Sequence, residues 1–278
     1  MKTNRHIDIM GIVNLTDDSY FAESRCSCTD AALRRIGQMV DEGADIVDIG
    51  ACSSRPGSLP VGPQEEWRRL EPVLKAVRAS FPDLRISIDT YWSSVVENAY
   101  GLIGDFMVND ISAGEDDPLM LETVGRLGLE YVAMHKRGNP ATMQTMTEYD
   151  DVVAEIIRYF RDFACRAGNF GIRRWILDPG FGFAKTVEQN YRILVGLPEI
   201  LTSSHETSET WQSSPRILVG VSRKSMVCKP LGISPEEALP ATQAVHMAAL
   251  IGGADILRVH DVKEAVQTVR LYAMLHFV

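Results

Sequence analysis

Eight short apolar runs recur along the chain, separated by stretches with a helical pattern. The runs are HIDIMGIVN (6–14), ADIVDIGA (44–51), RISIDT (85–90), DFMVNDIS (105–112), EYVAMHK (130–136), RWILDPG (174–180), RILVGVSRK (216–224) and ADILRVHDV (254–262). Each is rich in Ile, Val or Leu and bounded by Gly, Asp or Pro, as strands buried on both faces tend to be. In the intervening TDAALRRIGQMVDEG, Thr29 is placed to cap a first turn, Leu33, Ile36 and Val40 share a face, and Gly43 can end the helix. In SPEEALPATQAVHMAALIGG, Ser234 and Glu237 form a capping box with Pro235 at the first helical position, and Pro240 must kink or delay the helix. Such alternation, without linkers or low-complexity segments, implies parallel strands joined by crossover helices. The expected architecture is an α/β fold, a single-domain (β/α)8 TIM barrel over residues 1–278, with a doubly wound open sheet as the alternative.

Every apolar run ends in polar residues. The tips offer Asn14; Asp48, then Ser54 and Arg55; Asp89; Asn109 and Asp110; His135; Asp178; Arg223 and Lys224; and Arg258, His260 and Asp261. In a barrel all of these converge on one rim, the rim where barrel active sites lie. Asp89, Asn109 and Asp178 are acceptors or amides suited to the edge of a flat heterocycle bearing adjacent N–H donors. Arg55, Lys224, Arg258 and His260 suit phosphate oxygens. One substrate with a hydrogen-bonding ring and a phosphate tail would satisfy both sets.

Taken singly, the motifs have plainer readings. LDPGFGF (177–183) can be a turn with a capping aspartate, VSRKSM (221–226) a solvated basic loop, and GACSSRPGS (50–58) an ordinary glycine-rich turn. Asp17 and Asp18 read as turn residues before they read as Mg²⁺ ligands. His135 reads as a hydrogen-bonded structural group, and His6, His205, His246 and His276 as ordinary surface or core residues.

Composition narrows the class. The formal net charge of -9 argues against a non-specific nucleic-acid binder, although a local cationic cluster can still oppose the global charge. Five cysteines (Cys26, Cys28, Cys52, Cys165 and Cys228) form no CxxC pair, and the Cys26–Cys28 pair is a weak metal signal. The opening MKTNRHIDIMGIV is too short and too polar for a secretory segment, and no apolar stretch is long enough to span a bilayer. Reduced thiols in a cytoplasmic protein are the expectation.

In order, the stretches MGIVNLTDDSY, DIGACSSRPG, SIDT, VNDIS, MHKRGNPATMQ, LDPGFGF, VGVSRKSM and RVHDV resemble the dihydropteroate synthases of the pterin-binding barrel family, over residues 10 to 262. The resemblance implies condensation of p-aminobenzoate with 6-hydroxymethyl-7,8-dihydropterin diphosphate, releasing pyrophosphate, in folate biosynthesis, with Mg²⁺ as cofactor and a homodimer as the assembly. By motif, it places Asp178, Asn109 and Asp89 on the pterin ring with Met134 against its face. Lys224 would reach the pterin's polar edge and help position the amine. Ser54, Arg55, Arg258 and His260 would hold the diphosphate, and Asn14 would ligate Mg²⁺. Pro56, Phe183 and Ser225 would line the p-aminobenzoate pocket, the family's sulfonamide target. Asp89, Lys224, Arg258 and His260 are the expected catalytic set.

The chain departs from the family's commoner wording in NLTDDSY, where Asp17 and Tyr20 stand in place of a proline and a phenylalanine, and in ACSSRPG, where Ser54 replaces a threonine. The polar segment SSHETSETWQSS (203–214) reads as a surface excursion, and the last helix, VKEAVQTVRLYAMLHFV, as either outer ring or part of an interface. A pterin-dependent methyltransferase domain and a non-catalytic pterin-binding paralogue are the rival readings.

Overall fold

The computed structural model describes residues 6–15, 25–52, 61–138, 142–206 and 216–275. Eight parallel strands close into a barrel in chain order: β1 (Asp8–Asn14), β2 (Ile46–Gly50), β3 (Arg85–Asp89), β4 (Met107–Asp110), β5 (Glu130–Met134), β6 (Trp175–Asp178), β7 (Arg216–Val219) and β8 (Ile256–Val259). β8 returns to pair with β1, Asp8 opposite Ile256 and Gly11 opposite Val259, which excludes the open sheet. Every strand lies inside one of the eight apolar runs.

The helices among the described residues are α1 (Arg25–Glu42), α2 (Pro63–Ser80), α3 (Ser93–Ile103), α4 (Met120–Leu127), α5 (Val152–Asn169), α6 (Val187–Glu206), α7 (Ser225–Leu231), α8 (Leu239–Ile251) and α9 (Val262–Met274). Two expected helix starts move. α1 begins at Arg25, so Thr29 sits inside the helix rather than at its cap. The Glu237 carboxylate does accept the Ser234 N–H at 2.9 Å, but it closes a turn, and α8 starts only at Leu239. Pro240 decides this: it has no N–H to give and disfavours helical geometry in the residue before it, so it fits only in a first turn. Gly43 ends α1 as expected, at φ +101 with its N–H on the Val40 carbonyl.

The register stacks the barrel interior in layers. Side chains alternate along each strand, and the strand tilt brings residues from alternate strands to one height. Counting up from the N-terminal end, the register gives Asp8, Arg85, Glu130 and Arg216, then Ile46, Met107, Ile176 and Ile256, then Met10, Ser87, Val132 and Leu218. The seven apolar members of the two middle layers form a buried cluster of their own, separate from the larger core between strands and helices. Above them lies a layer with no apolar member: Asp48, Asn109, Asp178 and Arg258. The strands look hydrophobic throughout because their outward residues, such as Ile49, Ile88, Leu177 and Val259, are also fully buried, against the helices.

Candidate active site

The polar layer is wired together. Asp48, fully buried on β2, accepts from Ser87 Oγ at 2.6 Å, Asn109 Nδ2 at 3.0 Å and Arg258 Nε at 2.7 Å. A second Arg258 nitrogen, Nη2, reaches Asp89 Oδ2 at 2.8 Å, one layer up on β3. Arg258 thus ties β8 to β2 and β3 across the barrel mouth and satisfies acids that could not be buried alone. Met134, buried at the tip of β5, is Asp89's neighbour in the uppermost layer.

The turn after β6 is held by backbone geometry. Asp178 Oδ1 accepts the Gly180 N–H at 2.8 Å. Gly180 has φ +72, and a Cβ there would lie 2.0 Å from the His135 carbonyl oxygen, so only glycine lets this turn reach the end of β5. Lys185 completes the junction: its buried Nζ donates to the carbonyls of Gly180 and Phe183 at 3.0 Å each and of His135 at 3.3 Å.

The turn after β7 uses strain instead. Arg223 is a non-glycine residue at φ +57. Its side chain holds the conformation, forking onto Asp261 at 2.8 and 2.9 Å and donating to the Pro235 carbonyl at 2.8 Å. Asp261 is therefore an orienting partner, and its side chain makes no capping bond to α9. The next residue, Lys224, sends Nζ to the Phe181 carbonyl at 2.7 Å and stands 4.9 Å from the centre of the Phe183 ring. Ser222 Oγ meets His260 Nδ1 at 3.1 Å and its backbone N–H at 3.3 Å.

Burial dominates the electrostatics. It pushes the carboxyls of Asp89 and Asp178 upward, against the pull of Arg258 on the first and of Lys224, then Arg258, on the second. It brings Lys224 down to about 8 and Lys185 down to about 7, both held back by Asp178. His260 falls to about 4 through burial and the adjacent Arg258 guanidinium, so it meets a ligand as a neutral imidazole at neutral pH. Three acceptor atoms take no protein donor among the described residues: Asp89 Oδ1, Asp178 Oδ2 and Asn109 Oδ1. They line one mouth, beside Lys224. The arrangement can read a ring edge of N–H donors, with cationic groups alongside for an anionic tail.

Of the expected site residues, Asp89, Asn109, Asp178, Met134, Lys224, Arg258 and His260 come together at the C-terminal rim. Asn14 is half-buried at the tip of β1, opposite Gly50, Phe183 is half-buried, and Ser225 is exposed at the start of α7. Ser54, Arg55 and Pro56 lie outside the described residues, as do Asp17, Asp18 and Tyr20 and most of the 203–214 segment. His135 points away from the mouth, its ring edge-on to Tyr159 at 4.9 Å. Two residues escaped the sequence reading. Asp48 was visible as a strand-tip aspartate, but nothing local marked it as the hub. Lys185 carried no signal, because the junction it makes with its own turn reaches the His135 carbonyl 50 residues away.

The fold and the rim define a barrel with a polar mouth suited to the edge of a heterocycle. The family model described as "Pterin binding enzyme" matches residues 10–260. Dihydropteroate synthase of Escherichia coli K12 is 38% identical over 96% of this chain and 90% of its own length. That of Synechocystis is 39% identical over 93% and 86%. The Yersinia pestis dihydropteroate synthase, solved with a sulfonamide drug, superposes with a TM-score of 0.88 at 34% identity, covering 100% of this chain and 97% of that one. The Thermus thermophilus enzyme, solved with 4-aminobenzoate, gives 0.83 at 36% identity, over 97% and 95%. The chain belongs to the pterin-binding enzyme family, in its dihydropteroate synthase branch.

Proposed function

We propose that the chain catalyses attack of the p-aminobenzoate amine on the methylene carbon of 6-hydroxymethyl-7,8-dihydropterin diphosphate, with departure of pyrophosphate. The observation that carries this reading is the polar layer of Asp48, Asn109, Asp178 and Arg258 beneath Asp89, with three acceptors at the mouth that take no donor among the described residues. Asp178, Asn109 and Asp89 bind the pterin's N–H edge, Met134 packs on its face, and Lys224 reaches its polar edge and positions the amine. A carboxylate accepting from the ring makes it more electron-donating and spreads the positive charge left on the methylene carbon. The aromatic amine needs no strong base. His260, Ser54, Arg55 and the Nη1 of Arg258, which has no partner among the described residues, take the departing diphosphate, whose neutralised charge makes it a good leaving group. Pro56, Phe183 and Ser225 border the p-aminobenzoate position, where sulfonamides would compete.

Asn14 is the residue for Mg²⁺. A single amide oxygen at a half-buried strand tip suits an ion that keeps its waters and takes its remaining ligands from substrate phosphates. When bound, Mg²⁺ supplies charge neutralisation on the diphosphate.

A homodimer is the proposed assembly, supported by the face where α5, α6 and α7 meet, which leaves Tyr191, Val195 and Leu231 exposed. No helix among the described residues is long and apolar enough to cross a membrane, and cytoplasmic location is the reading adopted. The test is pyrophosphate release from the pterin diphosphate, which should require both p-aminobenzoate and Mg²⁺. Release that requires neither the amine nor Mg²⁺ would overturn the mechanism, and pterin binding with no turnover would favour a non-catalytic paralogue.

A further inference from the structure

At the opposite end of the barrel from the mouth, three side chains converge on one point. His6 Nε2 lies 3.0 Å from Asp45 Oδ1 and 3.2 Å from Asp8 Oδ1, and all three atoms fall within 4.8 Å of one another. Each comes from a different place: His6 precedes β1, Asp8 opens it, and Asp45 leads into β2. We propose that His6, Asp8 and Asp45 form a binding site for a divalent transition metal of the zinc class, with its remaining position open to water.

The spacing carries the argument. Ligand atoms about 2.0 to 2.2 Å from a tetrahedral zinc ion stand about 3.4 Å from one another, close to both histidine–aspartate separations here. One imidazole and two carboxylates is a donor set that zinc accepts, and a fully hydrated hard cation has no call for the imidazole.

The carboxylates are also oriented from behind, as metal ligands usually are. Asp8 is 2% exposed, and its Oδ2 takes Arg85 at 2.9 Å and Arg216 at 2.8 Å, which leaves Oδ1 with His6 as its partner among the described residues. Asp45 gives its Oδ2 to the Ile9 N–H at 2.8 Å, which likewise turns Oδ1 toward the histidine. Arg85 and Arg216 oppose a cation, but Glu130 and Asp255 lie 3.6 and 3.9 Å from them, so four carboxylates face two guanidiniums. His6 is largely exposed, which gives the metal and its water a way in.

The bland account is an imidazole held between two aspartates with no metal. Calorimetry with Zn²⁺ on the full chain, without substrates, separates the two. The proposal expects saturable binding near one equivalent that disappears in His6→Ala and weakens at least tenfold in Asp45→Asn. It also expects Co²⁺ to give an intense visible spectrum of a low-coordinate site, absent in His6→Ala. Neither residue belongs to the mouth, so turnover should be unchanged in both variants. Asp8 is left in place because it anchors Arg85 and Arg216. Zn²⁺ binding equal in the wild type and His6→Ala, or no binding in the wild type, overturns the proposal.

Discussion

Arg258→Leu is the substitution that most directly tests the wiring of the mouth. It removes the donor to Asp48 at 2.7 Å and to Asp89 at 2.8 Å while keeping an apolar side chain of moderate size. Asp48 is fully buried and would retain only the Ser87 hydroxyl and the Asn109 amide. Removing one partner of a buried ion pair costs about 3 to 5 kcal/mol, most of it the penalty of the stranded charge. The pH dependence gives the reasoning a second test. Burial already raises Asp89, and Arg258 is the principal group opposing that rise. Without the arginine the carboxyl rises further, and an acid whose folded pKa exceeds its unfolded one loses stability as pH climbs through that window. The variant's deficit should therefore be largest at pH 8 and shrink toward pH 5, where Asp89 is neutral. Urea denaturation at the two values, without ligand, measures this. Equal stability of variant and wild type, or a deficit that does not change with pH, would refute the account of Arg258 as a counter-ion. Asp89→Asn in the same background should recover part of the loss.

Glu66 is fully buried on α2, neither oxygen has a hydrogen-bond partner among the described residues, and burial pushes its carboxyl up to about 7. Glu66→Gln should therefore stabilise the protein by about 3 kcal/mol at pH 8 and by nothing below pH 4.5, in paired denaturation curves at each pH. Gly180→Ala must move either its own turn or the His135 carbonyl, and should cost at least about 2 kcal/mol in thermal unfolding and weaken pterin binding measured by calorimetry. Lys185→Met takes a donor from three carbonyls, of which Gly180 keeps the Phe183 N–H, and should lower stability by about 1 to 3 kcal/mol and raise KM for the pterin substrate more than it lowers kcat, read from steady-state kinetics.

The barrel was legible because its signal is repeated and local. Eight apolar runs with Gly, Asp or Pro at their ends leave little else for the chain to form, and the strands fall inside them. Helix starts were less legible. Thr29 and Ser234 carry correct capping chemistry, yet α1 extends upstream of the first, and Pro240 postpones α8 beyond the second. At the mouth, the acceptors announced themselves by position, since a polar side chain ending a buried strand has few places to point. What could not be read was the pairing. Arg258 looks like a free cation in RVHDV, and only the register shows two carboxylates waiting for it on β2 and β3. His6 looked ordinary for the same reason, because Asp45 lies 39 residues away.

That pairing bears on how the mouth can hold a ligand tightly. The framework contacts of Asp89, Asp178 and Asn109 each use one side of the group: Asp89 Oδ2 on Arg258, Asp178 Oδ1 on Gly180, Asn109 Nδ2 on Asp48. Each is thereby fixed in direction before any ligand arrives, with its remaining oxygen left to accept. Rotamer freedom is already lost, so a ligand does not have to supply it. Carboxyls whose ionised form is disfavoured by burial also gain more from an N–H donor than the same groups would in water. A ring with adjacent donors on one edge should therefore bind in its neutral form, and do so more tightly as pH rises through the range where Asp89 and Asp178 ionise. An N-methylated ring of the same shape, which removes one donor and strands one acceptor, should lose about 1 to 3 kcal/mol. Equal affinity for both rings in calorimetry would mean that shape alone fills the mouth, and that the acceptors play no part in choosing what enters it.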